Sequence, residues 1–461
     1  MKIILASVLA CMASWRPVSA APADPLARDI YKELVEIDTS HATGDTHKAA
    51  EAMAARLRAA GFGSDDVHVY DPAPKKGDLV ARLRGTGRKK PMILMAHIDV
   101  VDARREDWTT DPFKLVEKDG YFYGRGTGDD KYMAAAWVAN MIRWKKERYR
   151  PDRDLILILE CDEETGDDDG DGIQWLIKNH KDLIAAEFAL NEGGAVGGKG
   201  PRPQWNSIQT TEKLYVTFTL DVRNRGGHSS QPRKDNAIYE LSEALVRLSG
   251  YEFPIELNDT TRAYFAKSAT LETGQTAADM KSLVSPRPDP AALARLATVP
   301  AYNAELRTTC VATRLEAGHA DNALPQLAHA TVNCRILPGH TIGETERTLE
   351  SVLADPAIAI APKEKDTSSP PSPLRKDLLA AADKLTAKYW PGIPVIPTMS
   401  TGATDGRYLR KIGIQTYGHS GLAVDILDNR AHGKDERVSV KAFDDGVAYL
   451  YELVKLLAGG R

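Results

Sequence analysis

Two histidines and several carboxylates stand where apolar runs end, and these are residue types that hold divalent cations or move protons. His97 closes the run Met92-Ile93-Leu94-Met95-Ala96 and has Asp99 two residues on. A histidine that ligates a metal through one ring nitrogen has the other held by an oxygen, and Asp99 is placed to do this. Next comes Tyr123-Gly124-Arg125-Gly126-Thr127-Gly128-Asp129-Asp130-Lys131, whose glycines let the backbone turn tightly and bring Asp129 into a crevice. A nucleotide loop is the rival reading. The spacing matches neither G-x-x-x-x-G-K-[ST] nor a full G-x-G-x-x-G, and two carboxylates would repel phosphate. After the apolar Leu155 to Leu159 stands Glu160-Cys161-Asp162-Glu163-Glu164-Thr165-Gly166. Adjacent acids can divide labour, one binding a cation while its neighbour accepts a proton from water.

Two later segments complete the set: Asn191-Glu192-Gly193-Gly194 after Phe188 to Leu190, and Ala431-His432-Gly433-Lys434-Asp435-Glu436 near the C-terminus. With His97, Asp129 and Glu164 they supply two histidines and three carboxylates, a donor set suited to two borderline-hard divalent ions. A calcium loop beginning at Asp167 fails, because its twelfth position is Lys178 where a bidentate glutamate belongs; the acidic run reads as a solvated start to the helix near Ile173. A nucleophile elbow at Gly418-His419-Ser420-Gly421-Leu422 fails as well, since Leu422 stands where glycine is required.

The elements that must position these residues read as follows. Helical spacing runs through Leu26, Ile30, Leu34 and Ile37, then Ala49, Met53, Leu57 and Ala60, stopping at Gly61. Continuous apolar strands then alternate with helices such as Met133 to Trp144, which predicts an α/β fold with a mainly parallel sheet covered on both faces. Ligands of such sheets bind beyond the carboxyl ends of the strands. From Lys213 the period changes to two: Leu214, Val216, Phe218, Leu220 and Val222 alternate with polar neighbours, and Ala330, Val332, Cys334 and Ile336 repeat the pattern. With a helix from about Asn236 to Leu248, this predicts an inserted α+β domain over 212–365. It divides a catalytic domain into 21–211 and 366–461, with Pro362 to Pro373 as the return linker. The last helix is expected from about Val440 to Leu457.

The ordered set H-x-D, G-R-G-x-x-D-D-K, D-E-E-x-G, N-E-G-G and H-x-x-D-E resembles the M20 family of metallopeptidases and N-acyl amino acid hydrolases, across nearly the whole chain. The resemblance implies two divalent ions, zinc, with cobalt or manganese as alternatives. It implies that His97 and Glu192 hold one ion, Glu164 and His432 the other, and that Asp129 bridges them. Glu163 would be the general base and Asp99 would orient His97. Asn191 departs from the pattern, which often has Asp there. In the insert, Arg225-Gly226-Gly227-His228-Ser229-Ser230, Asn322-Ala323-Leu324-Pro325 and Arg335 match features of a lid that also forms a homodimer contact. There His228 would help stabilise the oxyanion, and Asn322 and Arg335 would grip a substrate carboxylate. Gly402 opens a segment, Gly402 to Arg407, that resembles the family's substrate-facing loop. The implied substrate is a small peptide or an N-acyl amino acid, cut as an exopeptidase or a deacylase; a metal-free binding relative is disfavoured, because every ligand position is occupied.

Composition sets the outer limits. The chain has 461 residues, 43 % of them apolar, with 60 Lys plus Arg against 64 Asp plus Glu. A net charge of -4 gives no basic field for nucleic acid. Lys2, the apolar run Ile3 to Met12 and Val18-Ser19-Ala20 have the pattern of a signal peptide cleaved near Ala20, which implies a periplasmic or secreted protein. That run is too short for a membrane span of about 20 residues, so no stable membrane insertion is expected. Cys161, Cys310 and Cys334 would remain; Cys310 and Cys334 could pair or stay as free thiols, and sequence leaves both open.

Overall fold

The computed structural model describes residues 21–165, 172–200, 202–365 and 367–461. The leader reading, Gly166 and the acidic run from Asp167 to Asp171 lie outside the described residues.

The centre of the large sheet is four parallel strands side by side: Leu155–Glu160, Met92–His97, Phe188–Asn191 and Gln415–Gly418. Their near-continuous apolar sequence has a physical cause, since both faces are buried. Met92, Leu94, Leu155, Leu157, Leu159 and Phe188 face the helices Pro25–Glu36, Lys131–Lys146 and Val440–Ala458. Ile93, Met95, Ile156, Ile158 and Ala189 face Gly172–Asn179 and Gly406–Lys411. The expected parallel sheet is therefore the core. Its margins are mixed: Lys76–Leu83 and Val67–Ala73 add antiparallel on one side, and Trp205–Glu212 brings Val395–Ser400 alongside in parallel on the other. The helical stretch read from 24 to 61 is two helices, Pro25–Glu36 and Thr46–Ala59, each started by an aspartate, Asp24 and Asp45, that accepts backbone N–H groups.

A second, antiparallel sheet of four strands runs in the order Thr309–Ala317, Leu327–Ile336, Leu214–Arg223, Ile358–Pro362. One face carries Val216, Phe218, Leu220, Val332 and Ile336 against the helices Ala237–Ser249 and Ile342–Leu353. The other face carries the polar alternates, which is what the period of two requires. Between the first of those helices and Thr309 lies a helical insertion that the pattern did not disclose: Asp259–Ser268, Gly274–Leu283, Pro290–Ala297 and Pro300–Leu306. It closes a small core around Phe265, Met280, Leu296 and Leu306, and its first helix packs on Val395–Ser400 of the large sheet. Cys310 and Cys334 form a disulfide, and Cys161 is a buried thiol outside it. Among the described residues no helix is long and apolar enough to cross a membrane.

Candidate metal centre

Three neighbouring parallel strands end on one rim. His97 is the last residue of its strand and stands in register with Glu160, the last of the next, while Phe188–Asn191 ends just before Glu192. The short turn Glu163–Thr165 follows Glu160 after two residues. Asp129 enters at the mouth of the helix Lys131–Lys146, joined to Asp130 by a cis peptide. His432 arrives from the loop ahead of Arg437–Ser439.

The carboxylate of Asp129 faces both histidines, Oδ1 lying 3.1 Å from His97 Nε2 and Oδ2 3.1 Å from His432 Nε2. Glu164 Oε2 is 3.0 Å from the same His432 nitrogen. Donor atoms of His97, Asp129 and Glu164 lie within 4.8 Å of one another, as do those of His97, Glu163 and Glu192. Asp99 serves two elements at once. Its carbonyl and its Oδ1 lie 3.1 and 3.5 Å from His97 Nδ1. Its carboxylate also accepts the backbone N–H of Glu163 and of Glu164, at 3.3 and 3.0 Å. One residue, through its carbonyl and its carboxylate, thus fixes the imidazole and the turn that carries the two glutamates.

The electrostatics show a cluster with too much negative charge for its burial. Burial raises the pKa of Glu163 and Glu192 well above the usual range; neighbouring carboxylates add to this and His97 opposes it. For His97 burial acts downward, yet the hydrogen bonds to Asp129 and Asp99 raise its pKa well above the ordinary value. Hydrogen bonds to Asp129 and Glu164 push His432 up to about 10. Burial acts upward on Asp129, but His432 and His97 hold its pKa below the usual carboxylate range. Imidazoles that keep a proton and carboxylates that resist losing one are responses to the same excess. A pair of divalent cations answers it more fully, and the nitrogen and oxygen donors match what such ions take.

Residues that sequence reasoning left without a role hold this arrangement together. Glu436 accepts from the backbone N–H of Gly126 (3.0 Å), Gly128 (2.7 Å) and Asp129 (3.3 Å). It also accepts from Arg125 Nη1 at 2.7 Å. Arg125 in turn donates to the Gly433 carbonyl at 3.0 Å and lies over the Trp108 ring. The pair therefore ties the loop of Asp129 to the loop of His432. Asp435 Oδ1 accepts from Thr109 N–H and hydroxyl, at 2.8 and 2.9 Å. The signal was present in the sequence, since Arg125 and Glu436 belong to the motifs that contain Asp129 and His432. Behind the turn lies fully buried Asp405, pushed up to about 7 by burial and then by Glu163.

The other expected site residues fall into two places. Arg335, on the polar face as its alternation requires, stacks on Tyr215 with 4.6 Å to the ring centroid and donates to the Thr401 carbonyl at 2.7 Å. That brings it to the residue before Gly402. His228 and Asn322 meet elsewhere, on the exposed ribbon where Gly227–His228 pairs with Ala323–Leu324 and Ser229 N–H donates to the Asn322 carbonyl at 3.0 Å. His228 Nδ1 is held by the Ser230 hydroxyl at 2.7 Å. Among the described hydrogen bonds and ion pairs, none joins His228 or Asn322 to the donor cluster.

Comparison with known proteins agrees with this site. The model of peptidase family M20/M25/M40 matches residues 93–456. An N-fatty-acyl-amino acid synthase/hydrolase from Xenopus tropicalis is 30 % identical over 372 residues, covering 79 % of this chain and 72 % of that protein. The Homo sapiens protein of the same description is 29 % identical over 379 residues, covering 79 % and 74 %. Among solved structures, an M20 family metallo-carboxypeptidase from Sulfolobus solfataricus superposes with a TM-score of 0.69 at 18 % identity, over 94 % of this chain and 99 % of that one. Human carnosine dipeptidase 1 gives 0.63 at 17 %, over 95 % and 99 %. The family match begins in the strand that ends at His97, runs into the last helix and encloses the whole donor cluster, so the chain belongs to peptidase family M20/M25/M40 and is a metal-dependent hydrolase of peptide or amide bonds.

Proposed function

We propose that the chain cleaves the amide bond joining an acyl or aminoacyl group to an amino acid with a free carboxylate, as an exopeptidase of the dipeptidase or carboxypeptidase type. The observation that carries the reading is the donor set in which Asp129 presents one oxygen to each histidine while Glu163 stands beside His97 and Glu192. His97 and Glu192 would hold one divalent ion, Glu164 and His432 the other, and Asp129 would bridge. Zinc is the proposed metal, with cobalt or manganese as alternatives. Bound there, such a pair supplies Lewis acidity to the scissile carbonyl and makes a water easier to deprotonate.

The chain's own residues do the rest. Glu163 takes the proton of the attacking water and later delivers it to the leaving amine nitrogen. Burial raises its pKa above the usual carboxylate range, which favours holding a proton once it is taken. Asp99 holds His97 and the turn of Glu163 and Glu164 in place. Arg335 spends Nη1 on the Thr401 carbonyl and keeps Nη2 for the substrate carboxylate, beside the Gly402 loop. His228, with Asn322, is assigned to the developing oxyanion and the substrate. Because both sit apart from the donor cluster in this structure, the reading includes closure of the insert as a lid, and a homodimer through it. Domain limits of 21–211 with 366–461 for the catalytic unit and 212–365 for the lid belong to the same proposal, as does export after removal of residues 1–20.

A second reading, N-acyl amino acid deacylase, uses the same site; the N-fatty-acyl-amino acid synthase/hydrolase activity by which the Xenopus and human relatives are named favours it. A panel of dipeptides and of short- and long-chain N-acyl amino acids, assayed on metal-loaded protein beside their carboxamides, tests both. Turnover of free acids far above carboxamides is expected. Equal turnover would remove the carboxylate requirement, and no turnover of any member would remove the reading.

A further inference from the structure

We infer that the Cys310–Cys334 disulfide positions Arg335, by fixing the register between the edge strand Thr309–Ala317 and the strand that carries the arginine. The inference rests on the proposed carboxylate-binding role of Arg335. Cys310 stands directly opposite Cys334, and the next pair along the ladder is Thr309 opposite Arg335. On its other side Arg335 is opposite Tyr215, the ring it stacks on. The arginine is thus one residue from a covalent cross-link and flanked on both sides.

The edge strand needs such a clamp. From Val311 to Ala317 every residue is exposed, so buried apolar area does little to hold it. Its pairing also shifts register between Ala312 and Arg314, where Thr313 is the extra residue. A bulge of this kind can sit at more than one place along a ladder whose edge is loose. Migration toward the start of the strand would change the partner of Arg335. It would also disturb what Thr309 anchors: the buried Lys213 ammonium donates to the Arg307 carbonyl at 2.6 Å and reaches the Thr309 hydroxyl at 3.5 Å. Lys213 N–H donates to the Ser400 carbonyl at 2.9 Å, one residue before the carbonyl that Arg335 grips. Edge strand, Lys213, Ser400, Thr401 and Arg335 therefore form a closed ring of contacts, and the cross-link removes sliding from it. Asn322 and the partner segment of His228 lie inside the loop that the disulfide closes.

The test is the full-length, metal-loaded Cys310→Ser/Cys334→Ser protein, assayed on one dipeptide and on the carboxamide of the same dipeptide. We expect KM for the free acid to rise by about fivefold, kcat to change by less than about twofold, and bound metal to stay the same. The wild-type preference for acid over carboxamide should shrink by the same factor. A purely structural cross-link would lower Tm and leave that preference untouched, and this result would overturn the inference. A wild-type enzyme with no preference would instead remove the reading of Arg335 on which it rests. Should the double variant not fold, the wild type reduced with a phosphine and alkylated at both thiols, as verified by mass, serves in its place; unchanged KM there also overturns the inference.

Discussion

Replacing Glu436 by Gln should loosen the metal centre without touching an assigned ligand. Glu436 and Arg125 are only 2 % and 3 % exposed, so solvent screens their pair little. All four groups facing the two carboxylate oxygens are donors. Glutamine offers one acceptor oxygen, and its amide must then meet N–H groups on the other side, while Arg125 keeps a buried charge. Breaking such a pair costs about 3–5 kcal/mol. With an unfolding entropy of about 2.1 cal/mol/K per residue and a cooperative unit of roughly 290 residues, about 3 kcal/mol corresponds to a Tm lower by about 5 °C. Because three of the four contacts come from the N–H groups of Gly126, Gly128 and Asp129 and the amide can serve only one side of them, metal affinity should fall by about 10–100-fold, the usual effect of removing a group that holds a ligand in place. Thermal melts in chelator and competition against a fluorescent metal indicator measure the two effects. A Tm within about 1 °C of wild type with unchanged affinity would refute the reasoning.

Arg335→Ala should raise KM for free-acid substrates by about 10–100-fold with kcat much less affected, since it deletes a charge-assisted contact made in ground and transition states alike. Arg335→Lys should recover little of this, because the planar fork is lost; full recovery, or a loss confined to kcat, would count against the carboxylate role. In chelator-treated protein the raised pKa of His432, about 10 when folded against 6.5, contributes stability that is complete below about pH 6.5 and is lost as pH rises through about 10. Tm should therefore decline over that window, and His432→Asn should flatten the decline. Divalent metal should reverse the trend, binding more tightly as the imidazoles lose their protons. A Tm that climbs from pH 6.5 to 10 in chelator would contradict the assignment.

The residues of the donor cluster could be picked out because chemistry confines them: a histidine at the end of an apolar strand and carboxylates after neighbouring strands leave few alternatives. The parallel core was legible for a related reason, since strands buried on both faces cannot afford polar residues, as Leu155 to Leu159 shows. What escaped was held by non-local pairing. Thr309–Ala317 is exposed nearly throughout, so it carries no apolar alternation to announce a strand. The helices between Asp259 and Leu306 are short, and Pro290 and Pro300, which start two of them, read equally as loop. The disulfide was undecidable until the register of two strands was known. Glu436 stood in the last motif without a role of its own, and only the fold brings Gly126, Gly128 and Arg125 to it.

Glu163 and Glu164 are adjacent in sequence, share Asp99 as backbone anchor and are assigned different work, so the two isosteric variants compared side by side test the two-metal account most directly. Bound divalent metal and kcat should be measured together on wild type, Glu163→Gln and Glu164→Gln. Wild type should hold about two ions per chain and lose all activity on chelation. Glu163→Gln should keep both ions while kcat falls by about 10²–10⁴-fold, and Glu164→Gln should bind one ion more weakly. Metal loss in Glu163→Gln with retention in Glu164→Gln would reverse the two roles; near-normal turnover in both, or active wild type without metal above background, would contradict the account.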